Sequence, residues 1–201
     1  IGGIGMSALA SYFFKAKKQI AGYDKTPTAI TASFQVKGVN IIFKDIVSEI
    51  DTNFLDPQHT LVIATAAIPK TNKILNFFKT QNFKVIKRAE ALGRITNNTK
   101  CLAVAGTHGK TTTSSILAHL MLESKQSVTA FFGGISENYK SNLIQSGNEF
   151  TVVEADEFDR SFLELRPDLA CITSIDADHL DIYGNDDSLM AAFKEFSALL
   201  P

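Results

Sequence analysis

The chain has no tryptophan, only two cysteines and five prolines, and almost no net charge. Cys101 and Cys171 form no C-x-x-C pair, which excludes a disulfide framework and a cysteine-rich metal knuckle. Each lies in an apolar, strand-like run, so both are expected in the core of a protein from a reducing compartment. Lys plus Arg total 20 against 21 Asp plus Glu, for a net charge of −1. Such a balance supplies no basic field for a nucleic acid or for insertion at an anionic membrane, so any phosphate must be held locally. No run approaches the ~18 consecutive apolar residues of a membrane span, and no basic region followed by an apolar stretch and a cleavage site opens the chain. The expectation is a cytoplasmic protein with small-molecule partners.

What is present is 201 residues, 45% apolar, enough for one or two domains with sizeable cores. Apolar runs alternate with helix-like segments, the pattern of α/β layering around a largely parallel sheet. Residues 6–17 read as a helix, 19–23 as a strand ending at Asp24, 39–43 as a strand and 60–65 as a buried strand. A helix over 73–79, a strand over 83–86 and a helix over 88–96 follow. The polar stretch 97–100 places a domain boundary near residue 97. Beyond it, strands are expected at 126–132, 150–154 and 169–173, with a last helix over 187–200. The opening glycine loop has almost no strand before it and the chain stops as a helix finishes, so residues are expected to be missing at both ends.

The most specific motif is Gly106-Thr107-His108-Gly109-Lys110-Thr111-Thr112-Thr113, set between the apolar run 101–105 and a helix-like stretch. Glycines let backbone N–H groups turn toward anionic oxygens, and the following helix presents its positive end. Lys110 would then sit on the β/γ-phosphates and the Thr111 hydroxyl on Mg²⁺. The spacing is tighter than G-x-x-x-x-G-K-[ST], which would need glycine at Val104. A second glycine loop, Gly3-Ile4-Gly5-Met6-Ser7-Ala8, fits G-x-G-x-x-A, with Asp24 closing the next strand 21 residues after Gly3. Two loops in one chain point to two phosphorylated ligands.

Acids gather where strands end. Glu154 closes the run 151–154 and makes a reasonable Mg²⁺ partner for Thr111. Glu157 and Asp159 read as a solvated acidic turn. His179, among Asp176, Asp178 and Asp181, is a candidate ligand for a second cation. His108 would contact nucleotide or orient its loop, whereas His59 and His119 carry no expected role.

Residues 1–7, 106–113, 154–157 and 176–181, in that order, resemble the Mur ligase family, and the resemblance runs through Thr65–Ile68, Arg88–Glu90 and Phe132–Gly134. It implies a Rossmann-like UDP-sugar-binding domain over 1–97, its first strand truncated, and a partial central P-loop-type ATP-binding domain over 98–201. By the same resemblance a third, C-terminal domain is expected to lie beyond these residues. The resemblance further implies bacterial peptidoglycan synthesis: the lactyl carboxylate of UDP-N-acetylmuramate attacks ATP, and the acyl phosphate is then attacked by L-alanine. By the same resemblance Lys110, Glu154 and His179 are catalytic, Gly106 to Thr112 bind ATP, and Thr111, Glu154 and His179 hold the metal. Gly3, Gly5, Met6, Ser7 and Asp24 correspond to the UDP-sugar site, with Tyr23 standing where the family often has serine. These 201 residues are expected not to turn over alone. The rival readings are a ligase recycling murein tripeptide onto the same sugar nucleotide, a non-catalytic sensor, and a dinucleotide-dependent dehydrogenase, disfavoured because it has no use for Lys110, Thr111 and Glu154.

Overall fold

The computed structural model describes residues 1–176 and 186–201. Two compact units result, Ile1–Arg88 and Ala89–Pro201. The division falls before the stretch near residue 97 where composition placed it. Helix α4 (Arg88–Thr96) goes largely with the second unit, because its Gly93 lies directly against the Glu164 backbone carbonyl.

The first unit runs α1 (Ile4–Lys15), β1 (Ala21–Tyr23), α2 (Ala29–Val36), β2 (Asn40–Ile42), β3 (Leu61–Ala64), α3 (Lys73–Thr80) and β4 (Lys84–Lys87). Strand β1 pairs in parallel with β2, and β3 with β4, so the unit carries two short parallel pairs. Local chemistry starts its helices. The Thr28 hydroxyl accepts from Thr31 N while the Thr31 hydroxyl accepts from Thr28 N, a reciprocal cap on α2. Helix α3 is capped by Asn72, and the Asp45 carboxylate accepts from Lys73 N at 2.8 Å and Ile74 N at 3.0 Å, an anion at a helix's positive end. One apolar cluster centres on Phe34, Val39 and Ile41, and a second on Ile74, Phe78 and Phe83. Strand β3, expected to be buried, is partly open, with Leu61 44% exposed, since it lies in a sheet of two strands.

The second unit continues from α4 with β5 (Lys100–Ala105), α5 (Lys110–Glu123), β6 (Val128–Ser136), β7 (Ser141–Gln145), β8 (Phe150–Glu154), β9 (Leu169–Ile172) and α6 (Asp186–Ser197). Its sheet has the order β7-β6-β8-β5-β9 and is parallel except for β7, which returns antiparallel to β6. The core between α5 and the sheet is filled by Ala118 of α5, Val128, Ala130 and Phe132 of β6, Ile144 of β7 and Val152 of β8. Phe162, fully buried, stacks on Phe196 and meets Phe193 edge-on, fixing α6 to the 3₁₀ segment Phe158–Glu164.

The cysteines part company. Cys101 is buried, and burial pushes its thiol up to about 12, which leaves it inert. Cys171, expected in the core, is exposed because β9 ends the sheet order and its neighbour Leu169 is 67% open.

Candidate active site

Parallel pairing brings the carboxyl ends of β8, β5 and β9 side by side. Val104 stands opposite Glu154, and Ala105 opposite Ile172. The loop leaving β5 therefore lies between the chain leaving β8 and the chain leaving β9, the edge at which parallel sheets collect ligands.

From the β9 side the loop is clasped by hydroxyls. Thr107 N donates to Ser174 O at 3.0 Å, His108 N donates to Ser174 Oγ at 3.1 Å, and Thr107 Oγ1 lies 2.9 Å from Ser174 Oγ. The Thr173 hydroxyl donates to the carbonyls of Ala105 and His108, and Asp176 N donates to Thr107 Oγ1 at 3.0 Å. Two loop amides are thus engaged by Ser174, and the N–H groups of the first turn of α5, Lys110 to Thr112, are the donors that a helix start leaves without intrahelical acceptors. His108 Nε2 lies 3.8 Å from Asp176 Oδ2, both well exposed.

On the β8 side, Thr111 Oγ1 stands 2.9 Å from each oxygen of Glu154, and Gly133 N donates to Glu154 Oε2 at 2.7 Å. A side chain at Gly133 would put its Cβ 2.6 Å from Glu154 Oε1, so only glycine brings the β6 backbone this close. A hydroxyl and a carboxylate on adjacent elements are the hard oxygen donors that Mg²⁺ takes, and the arrangement fits that ion.

One sequence expectation is corrected. Glu157 is no solvated turn residue. It is fully buried, and its Oε1 pairs with Lys110 Nζ at 2.8 Å, the lysine being 13% exposed. Lys110 Nζ also donates to Gly106 O at 2.6 Å. The acidic run concealed this contact, because it joins residues 47 apart through the β5–β8 pairing. His179, with Asp178 and Asp181, lies outside the described residues, as does the side chain of Asp159.

The second loop, in the first unit, is held by Asp24. Gly2 N donates to Asp24 Oδ2 at 2.7 Å and Thr26 N to Asp24 Oδ1 at 3.1 Å. Gly3 precedes α1, and Ser7, buried, donates its hydroxyl to Ile4 O. Arg88 packs on Gly5, its guanidinium at the start of α1, a cation that lies outside both glycine-loop motifs. Burial pushes the Asp24 carboxyl up, the N–H groups of Thr26 and Gly2 act against it, and the net direction is below the ordinary carboxylate value. Stability from a depressed carboxylate is present above the unfolded value of about 3.9 and is lost as pH falls through the lower folded value. Asp24→Asn is therefore expected to cost about 1 kcal/mol at pH 7, modest because Asp24 is partly open, and to flatten the acid limb of stability below about pH 4. Denaturant melts of both forms from pH 2 to 7 read this directly, and parallel acid limbs would refute it.

Profiles of known families match both units: "Mur ligase family, catalytic domain" over residues 1–100 and "Mur ligase middle domain" over 104–201. Among curated proteins, a UDP-N-acetylmuramate–L-alanine ligase of Flavobacterium psychrophilum is 58% identical over 197 residues, covering 98% of this chain and 44% of that protein. Among solved structures, the UDP-N-acetylmuramate-alanine ligase MurC of Thermotoga maritima superposes with a TM-score of 0.85 at 31% identity, covering all of this chain and 46% of its own. A UDP-N-acetylmuramate:L-alanyl-gamma-D-glutamyl-meso-diaminopimelate ligase from Neisseria meningitides reaches 0.88 at 22% identity, over all of this chain and 66% of its own, which is a likeness of fold. The chain spans less than half the length of the curated relatives it matches. Among the described residues no helix is long and apolar enough to cross a membrane.

Proposed function

The chain belongs to the Mur ligase family, and on that premise we propose that it serves the ATP-dependent ligation of L-alanine to the lactyl carboxylate of UDP-N-acetylmuramate in peptidoglycan synthesis. The observation that carries the reading is the convergence of the Gly106–Gly109 loop, Lys110, Thr111 and Glu154 at one sheet edge, in a chain 58% identical to an enzyme bearing that name.

A carboxylate is a poor electrophile until its oxygen carries a leaving group. In the proposed sequence the lactyl carboxylate oxygen attacks the γ-phosphorus of ATP, the bond to the β,γ-bridging oxygen breaks, and ADP leaves. The amine of L-alanine then attacks the acyl carbon, phosphate departs with the C–O electron pair, and the amine's proton goes to solvent or a base. Phosphoryl transfer of this kind asks the protein mainly for position and charge. Lys110 places its cation between the β- and γ-phosphates, and the first-turn amides of α5 hold phosphate oxygens. Thr111 and Glu154 would hold Mg²⁺, which would neutralise phosphate charge, and Gly133 N fixes the carboxylate that does so. His179 keeps the role of second-cation ligand on the sequence resemblance. The sugar nucleotide is assigned to the other unit, with Gly3, Gly5, Met6, Ser7 and Asp24 lining its diphosphate and nucleoside end and Arg88 adding a cation against Gly5. These roles follow the proposed domains, 1–97 for the UDP-sugar and 98–201 for ATP.

The test is ATP-dependent phosphate release by the complete gene product with UDP-N-acetylmuramate, offering L-alanine or the murein tripeptide. Release with L-alanine is expected. Release only with tripeptide would assign the recycling reaction, and release with neither would leave a sugar-nucleotide-binding protein without ligase activity.

A further inference from the structure

The Lys110 ammonium is already satisfied. Its donors reach Gly106 O at 2.6 Å, Glu157 Oε1 at 2.8 Å and, at the limit, Thr107 O at 3.5 Å. All three acceptors lie in or beside the loop, so the side chain is folded back along it. A β/γ-phosphate that takes Lys110 must compete with a carboxylate that is wholly buried, where charge pairs are strong and a charge left alone is costly.

We infer that Glu157 is a positioning residue for the nucleotide: it holds Lys110 along the loop before binding, yields it to the β-phosphate, and recaptures it as ADP departs. The inference rests on the ATP reading of the loop. Glu157 lowers the affinity for nucleotides that carry a β-phosphate and quickens release of the diphosphate product. Thr111 and Glu154 form a separate pair, so this cost falls on Lys110 alone.

The experiment is calorimetric binding of ATP, ADP and AMP with Mg²⁺ to the complete gene product and to its Glu157→Gln variant, with ADP dissociation followed by stopped flow. Gln keeps the size and an acceptor oxygen but removes the charge. ATP and ADP are expected to bind about tenfold more tightly, the scale of one charge-assisted hydrogen bond, with ADP leaving correspondingly more slowly. AMP, which has no β-phosphate, should bind as before. In a Lys110→Ala background the gain should vanish. A gain that persists there, or that extends to AMP, would mean a general field effect and overturn the inference, as would unchanged or weaker ATP binding by Glu157→Gln. If that variant does not fold, Glu157→Asp, which withdraws the carboxylate from the 2.8 Å contact, should shift ATP and ADP in the same direction, and no shift overturns the proposal. Failure of the unaltered protein to bind ATP would remove the reading of the loop as well, which separates the two failures.

Discussion

Replacing Lys110 with alanine is expected to do two separable things: cut phosphate release by about 10²–10³-fold and lower the stability of the fold by about 3–5 kcal/mol. The first follows from removing the cation that the proposed mechanism places between the β- and γ-phosphates. The second follows from Glu157, which has no exposed surface and loses the partner at 2.8 Å that balances its charge. Removing one member of a buried pair costs more than the pair itself is worth, because the survivor remains desolvated. Denaturant unfolding should show a lower midpoint with an unchanged slope. The double variant Lys110→Ala/Glu157→Gln should regain much of the stability and none of the phosphate release. UDP-sugar affinity, measured where both forms are folded, should change by less than about twofold, because the two glycine loops lie in different compact units. Parallel loss of sugar-nucleotide binding would show that the two sites are not separate, and a Lys110→Ala protein as stable as its parent would show that the buried pair is energetically idle.

The elements that the sequence disclosed are those encoded locally. Helix 88–96 was legible from its own residues and is α4 as observed, and the glycine loop after an apolar run sits between β5 and α5 as expected. Glu154 was legible because a β-branched strand ending in an acid points to the ligand edge of a parallel sheet, and its contact with Thr111 follows from the β5–β8 register. Glu157 was not legible. Three residues further on, in a run of acids, it has the composition of a solvated turn, and only the fold buries it against Lys110. Cys171 failed for the converse reason: an apolar run reads alike in a central strand and at the end of a sheet, so Cys101 is buried and Cys171 is open. Strand β7 went unseen because Ser141–Gln145 is short and mixed in polarity, and its place is set by pairing with β6. What escaped at Glu157, Cys171 and β7 was a property of neighbours brought in from elsewhere in the chain.

The two loop glycines provide a prediction in which one substitution type has two outcomes. Both have positive φ, +125° at Gly106 and +80° at Gly109, so alanine is strained at either. At Gly109 the nearest atom to an added Cβ is Thr173 Cβ at 3.9 Å, ordinary contact, and only the backbone term remains. Gly109→Ala should therefore cost about 1–2 kcal/mol and leave a weakened but working ATP site. At Gly106 the added Cβ would fall 2.2 Å from Thr173 Oγ1 and 2.8 Å from Ser174 N, and the latter is backbone and cannot swing aside. Thr173 and Ser174 are the residues whose hydroxyls clasp Thr107 and His108, so making room at Gly106 dismantles the support of the loop as well as straining it. Gly106→Ala is expected to cost about 3 kcal/mol or more, the sum of backbone strain and overpacking, and to weaken ATP binding at least tenfold more than Gly109→Ala does. Paired melts and ATP titrations of the two variants decide it. Equal losses would mean that conformation alone explains both glycines and that the clasp from the end of β9 does not shape the loop.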